Sequence, residues 1–142
     1  MPPSPNARRP VSRITIRCPI SAECRAALVA GQRDAIYEDR YLGPLMRYLD
    51  GHATLGDFGR YRGVRELTLG LEIFRPVDGS SPTVGTPGER SLLDAVTVVT
   101  YLEQGVSDAR LDQILAEIAA LHPWEIPVIE IDDCRLYAPS AS

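Results

Sequence analysis

The run Leu92-Leu93-Asp94-Ala95-Val96-Thr97-Val98-Val99-Thr100-Tyr101-Leu102 decides how this chain folds. It is nearly continuous in apolar and β-branched residues, as expected of a central strand covered on both faces. Gly105 breaks it. Ser107 then caps a helix, with Asp108 in the first turn where the helix dipole favours a carboxylate. Leu111, Ile114, Leu115, Ile118 and Leu121 form one apolar stripe along that helix. His122 precedes Pro123, and a residue before proline is pushed out of the helical region, so the helix stops there. Val128 to Ile131 is a final strand, with Pro127 tolerable at its start. On the other side of the central run, Leu67, Leu69, Leu71 and Ile73 alternate within Val64 to Phe74, which predicts a strand with one buried face. Pro76, Gly79, Pro82, Gly85, Pro87 and Gly88 join the two strands, a composition no helix or central strand tolerates. A loop of that length in a compact domain is usually functional or disordered.

Earlier in the chain, Arg13 to Cys18 alternates with period two and reads as a half-buried strand ended by Pro19. Ser21 is placed to cap a helix over Ala22 to Ala30. Ile36, Tyr37, Tyr41, Leu42, Leu45, Met46 and Leu49 then recur at helical steps, with Pro44 kinking that region or starting a new segment and Gly51 stopping it. The order is strand, helical region, strand, long loop, strand, helix, strand. Two right-handed crossovers around a hairpin give an α+β, ferredoxin-like βαββαβ fold. Its four-stranded antiparallel sheet carries helices on one face, with an elongated first helical region. The expected organisation is a flexible arm over 1–11, one domain over 12–137 and a tail over 138–142. The bare sheet face would expose Val96, Val98 or their neighbours, and self-association is the simplest way to cover it.

Composition narrows the function classes. In 142 residues the net charge is −4, which argues against bulk nucleic-acid affinity. Mean hydropathy is −0.09, and no stretch reaches the ~18 apolar residues of a membrane span. The N-terminus has no apolar core of a secretory signal. Cys18, Cys24 and Cys134 cannot all pair and none stands in a CxxC, which favours a reducing, cytoplasmic setting. All 15 basic residues are arginine, a bias that a GC-rich genome explains as readily as anion recognition does.

Three stretches resemble a known family. The turn His122-Pro123-Trp124-Glu125-Ile126-Pro127 resembles the HPYExP signature of the CutA-like and PII-like superfamily, with Trp124 in place of tyrosine. Phe74, Pro76, Gly79, Pro82, Gly85, Gly88 and Glu89 are similar in spacing to a run in the PII-like domain of YqfO-type (Nif-three) proteins, also found free-standing. Gly56-Asp57-Phe58 with Arg60 is similar to the same family's G-N-Y-D-R; Gly59 replaces its aspartate and Tyr61 stands where it has a cysteine. Residues 31–50 look like added material. The resemblance implies a self-associating protein, commonly a trimer, that uses the loop between the second and third strands and clefts between subunits to hold small ligands. It also implies that the two-metal site of full-length relatives, and the cyclohydrolase label they have carried, belong to halves outside this domain.

The residue inventory fits that expectation. There is no Walker loop, no G-x-G-x-x-G and no G-x-S-x-G, and the histidines are His52 and His122 alone. No catalytic residue and no cofactor is therefore expected. His122, Glu125 and a cysteine could form a CutA-type divalent metal site, although no ligand pair has metal-site spacing; a structural turn histidine bonded to Glu125 is the plainer reading. The long loop either clasps a neighbouring subunit or walls a pocket with the His122–Glu125 turn. In the second case Arg75, Gly79, Gly85, Gly88, Glu89, His122, Trp124 and Glu125 hold a small anionic metabolite, with Glu89 ordering an arginine. The expectation is a ligand-binding or sensing oligomer that is not an enzyme. A structural interaction module without a small ligand remains the other class.

Overall fold

The computed structural model describes residues 8–138. Its elements run β1 (Arg8–Pro19), α1 (Ala22–Val29), α2 (Ala35–Glu38), α3 (Gly43–Asp50), β2 (Arg65–Phe74), β3 (Ser91–Glu103), α4 (Asp108–Leu121) and β4 (Ile129–Tyr137). The sheet order is β2-β3-β1-β4 and every pairing is antiparallel. This is the ferredoxin-like α+β arrangement expected from the order of elements. Residues 1–7 and 139–142, which hold most of the expected arm and tail, lie outside the described residues. Arg8 to Val11, within the span expected as an arm, are paired with Tyr137 to Cys134 of β4. Among the described residues no helix is long and apolar enough to cross a membrane.

Capping residues set the helix starts. Ser21 Oγ accepts the Cys24 N–H at 3.1 Å, and Ser107 Oγ accepts the Arg110 N–H at 3.2 Å. Pro44 lies in the first turn of α3, where its missing N–H costs nothing, so the region 31–50 becomes two helices rather than one kinked helix. These residues are not an ornament. Leu42, Leu45, Met46 and Leu49 are buried against the sheet with Ile14, Ile16, Val96, Val98, Ile114 and Ile118. Burying each such side chain contributes roughly 1.5–3 kcal/mol.

Cross-strand register assigns the faces. Ile14, Ile16 and Cys18 stand opposite Thr100, Val98 and Val96, and this row meets the helices. Val96 and Val98 are thus core residues, and of the alternatives left open it is their neighbours Thr97 and Val99 that stand on the bare face. The other face carries the opposite row and is largely polar. Arg13 pairs with Asp132 at 3.3 Å, Arg17 pairs with Glu130, and Arg9 pairs with Glu103 at 3.2 Å. Phe58 packs near Tyr101 there, with Arg9 over its ring. The turn that brings Phe58 over needs Gly56: φ is +70°, and a Cβ would stand 2.4 Å from the Val64 carbonyl oxygen.

The exposed apolar residues of β2 and β3 lie instead on the helix-facing row, where these strands run past the helices. Leu71 is 66% exposed and Ile73 61%, with Leu69 and Leu92 beside them. β2 is also an edge strand, so its outer backbone groups are unpaired within the sheet.

Asp39 ties the helical layer to the end of β1. Its carboxylate accepts N–H bonds from Ser21, Tyr41 and Leu42, each at 3.0 Å. Burial pushes its pKa up, but these bonds outweigh it and the net shift is downward. Its contribution is therefore fully present above the unfolded value of about 3.9 and is lost as pH falls through the lower folded value. Asp39→Ala is expected to lower stability at neutral pH by about 1–3 kcal/mol, measured by urea unfolding, and to flatten the acid limb of the stability profile. An unchanged midpoint would show that the three bonds are dispensable.

Candidate functional site

The β2–β3 loop and the turn after α4 meet within one chain. His122 is the pivot: buried at the helix end, its Nε2–H donates to the Arg17 carbonyl oxygen at 2.6 Å, while Nδ1 accepts the Trp124 N–H at 3.1 Å. Both ring nitrogens are used by backbone groups, which fixes a neutral tautomer and leaves neither free for a metal. Burial holds the imidazole below its ordinary pKa, against the opposing pull of the Arg17 bond and the Glu72 charge.

From this anchor the turn reaches the loop. Glu125 accepts the Ser81 N–H at 2.9 Å, and the Thr83 hydroxyl donates to the Pro123 carbonyl. The Trp124 ring meets Phe74 edge-on, with centroids 5.1 Å apart and planes at 73°. Between loop and turn lies an open cleft of about 220 Å³. Phe74, Pro76, Pro82, Trp124 and Ile126 form its apolar wall, and Glu72, Ser80 and Glu125 its polar part. Register places Glu72 and Phe74 on the sheet face away from the helices, opposite in sense to Leu71 and Ile73. The Glu72 Oε2 and Trp124 Nε1 atoms are buried without a hydrogen-bond partner among the described residues. Leaving such a group unpaired costs about 1–3 kcal/mol, so both seek a partner.

Of the residues expected to hold a ligand, Trp124 and Glu125 line the cleft and His122 positions them. Glu125 serves the loop rather than bonding His122, which corrects that pairing. Arg75 and Glu89 are exposed and absent from the lining. Among the described residues Glu89 forms no ion pair with an arginine. Gly79, Gly85 and Gly88 take φ of +89°, +102° and +84°. Their role is turn geometry: the Gly88 N–H donates to the Pro76 carbonyl at 2.6 Å, and a Cβ on Gly85 would stand 2.6 Å from Ser91 Oγ. The anion expected from the loop arginines finds no arginine in the lining and two glutamates instead. Glu72, Phe74 and Ile126 were not among the expected residues; the alternation of β2 puts Glu72 and Phe74 on one face and was the available signal.

Other reactive groups are occupied elsewhere. Burial, then the Asp39 and Glu72 charges, push the Cys18 thiol up to about 12; burial and Asp39 push Cys24 to about 11. Neither is a thiolate at neutral pH. His52 Nδ1 accepts the N–H groups of Thr54 and Leu55, both at 3.2 Å. No group of three His, Cys, Asp or Glu side chains is arranged to hold a metal among the described residues.

No family model matches the chain. It is 28% identical over 91 residues to the GTP cyclohydrolase 1 type 2 homolog of Bacillus subtilis (strain 168), covering 64% of this chain and 23% of that protein. The chain thus spans about a quarter of the length of the curated relative it matches. In fold it is similar to the crystal structure of a Bacillus cereus protein related to NIF3, with a TM-score of 0.54 and 13% identity over 98% of this chain and 29% of the other. The expectation of a protein that is not an enzyme is corrected by the first match, since that relative carries the name of a cyclohydrolase homolog.

The His122 geometry has a measurable consequence. Because the folded imidazole has a lowered pKa, the unfolded state binds more protons between that value and about 6.5. Stability is full above about 6.5 and falls as pH drops toward the folded value. Thermal unfolding between pH 8 and 5 should show this fall, and His122→Gln should reduce its slope while costing about 1–3 kcal/mol at pH 8. An identical slope in the variant would place the titration elsewhere, at His52 first.

Proposed function

We propose that the chain is a cytoplasmic, PII/CutA-like module that self-associates and binds a small ligand in the cleft between the β2–β3 loop and the His122–Ile126 turn. The observation that carries this reading is the Glu125–Ser81 bond, which joins two segments distant in sequence and leaves a concave, mostly apolar space between them. Apolar pockets with a few convergent polar groups are the usual form of a small-molecule site. At about 220 Å³ the cleft suits a compact metabolite rather than a drug-sized ligand, for which ~300–1,000 Å³ is typical. The motif resemblance in both segments supports the PII/CutA-like reading. The name of the curated relative makes GTP one probe for binding and turnover.

Self-association rests on a different feature. Leu69, Leu71, Ile73 and Leu92 form an exposed apolar strip beside the unpaired edge of β2. A second copy offers both the missing backbone partners and an equally apolar surface. A homotrimer is the expected count.

Native mass spectrometry of gently purified protein reports subunit number and bound small molecules together. The expected result is an oligomer carrying a small ligand, with Leu71→Arg and Ile73→Arg together shifting it to monomer without loss of fold by circular dichroism. A stable monomer that carries nothing and binds none of a metabolite panel including GTP would overturn the reading.

A further inference from the structure

We infer that the cleft takes a small organic cation, an ammonium or guanidinium group on a short stem that also bears a hydroxyl or carbonyl oxygen. This deepens the ligand-binding reading above and rests on it. The charge of the wall comes first: Glu72 and Glu125 are its ionisable side chains, and no arginine lines it. An anion entering this space meets two like charges, whereas a cation meets two opposite ones in a site walled by low-dielectric side chains.

The second observation is the aromatic corner. Phe74 and Trp124 stand at 73° with centroids 5.1 Å apart, and both line the cleft. Cations are attracted to aromatic ring faces, to tryptophan most of all, and paired aromatic walls with carboxylates are the usual means of holding alkylated ammonium groups. Pro76, Pro82 and Ile126 supply apolar surface for the stem.

The third is the pair of unpartnered atoms. Glu72 Oε2 is an acceptor in want of a donor, and Trp124 Nε1–H is a donor in want of an acceptor. They are the two cleft-lining side chains left incomplete, while Glu125 already holds the Ser81 N–H. Both atoms are covered from solvent, so a cationic N–H serves the first and a neighbouring oxygen the second once the carboxylate and the indole turn toward the ligand. A simple anion serves the tryptophan alone.

Trp124 is the single tryptophan of the chain, so its fluorescence reads the site directly. The experiment titrates the full chain at pH 7.5 with ethanolamine hydrochloride, with sodium chloride of equal ionic strength as reference and with sodium acetate and sodium phosphate as anionic probes. The expected result is a saturable change in emission with ethanolamine only, weakened at least tenfold in Glu72→Gln. Circular dichroism checks that this variant folds, and Glu125→Gln gives a second reading of the same charge. Unchanged ethanolamine affinity in both folded variants overturns the inference. Saturation by acetate or phosphate instead overturns the cation and leaves the ligand-binding reading standing. No response to any probe removes the cation, and the ligand-binding reading falls with it only if native mass spectrometry also finds the protein empty.

Discussion

One carbonyl group organises the functional end of this molecule. β4 pairs with β1 as far as Ile16 opposite Ile129, and beyond that point the edge of β1 is open on this side. The Arg17 carbonyl there accepts the imidazole N–H of His122. A part-buried backbone acceptor is thereby satisfied at the place where the sheet cannot supply a partner. The same imidazole receives the Trp124 N–H, so sheet, helix end and turn are joined through one side chain. Everything that follows in the turn inherits its position: Trp124 against Phe74, and Glu125 against the backbone of the β2–β3 loop.

Strand length does the rest. β2 has 10 residues and β3 has 13, and they run past the helices that cover the middle of the sheet. The overhang has two faces with different fates. Leu71 and Ile73 face the side of the helices but lie beyond them, which leaves an apolar strip in water. Glu72 and Phe74 face the other way and are half-covered by the turn, which makes the cleft. A single alternation in one strand thus separates the apolar surface proposed for self-association from the cleft proposed for a small molecule.

Most of the architecture was legible because it depends on local rules. Proline and glycine punctuated the β2–β3 loop, Ser21 and Ser107 marked helix starts, and alternation in β2 gave its faces. The length of β1 was underestimated at its N-terminal end, because Arg8 to Pro10 have no apolar alternation and owe their strand to pairing with β4. Whether Val96 and Val98 or their neighbours stand on the bare face stayed open for a related reason: a run apolar on both faces does not reveal which parity meets the helices. The turn residues of the site were legible as grammar, with His-Pro ending a helix. The partners of Glu125 and His122 were not, since both bonds cross more than forty residues and are decided by tertiary packing.

The arginines show why charge in a sequence is a poor guide to charge in a site. Alone among basic residues, they invited the idea of an anion held by the glycine-rich loop. In the fold, Arg9, Arg13 and Arg17 lie in a row along β1 against Glu103, Asp132 and Glu130, Arg25 meets Asp94, and Arg65 bridges to Asp50 at 2.6 Å. The pairs along β1 tie neighbouring strands, while the Arg25 and Arg65 pairs tie α1 and α3 to the helix-facing row. Exposed pairs of this kind each add little stability, and the three along β1 lie on the face away from the helices. The two glutamates of the cleft are left outside that network of arginine pairs: Glu125 is spent on a backbone N–H and Glu72 keeps an oxygen without a partner. The protein's net negative charge is therefore not spread evenly. Part of it is concentrated in the one concave space that both recognisable motifs enclose, and that concentration sets the sign of what can enter.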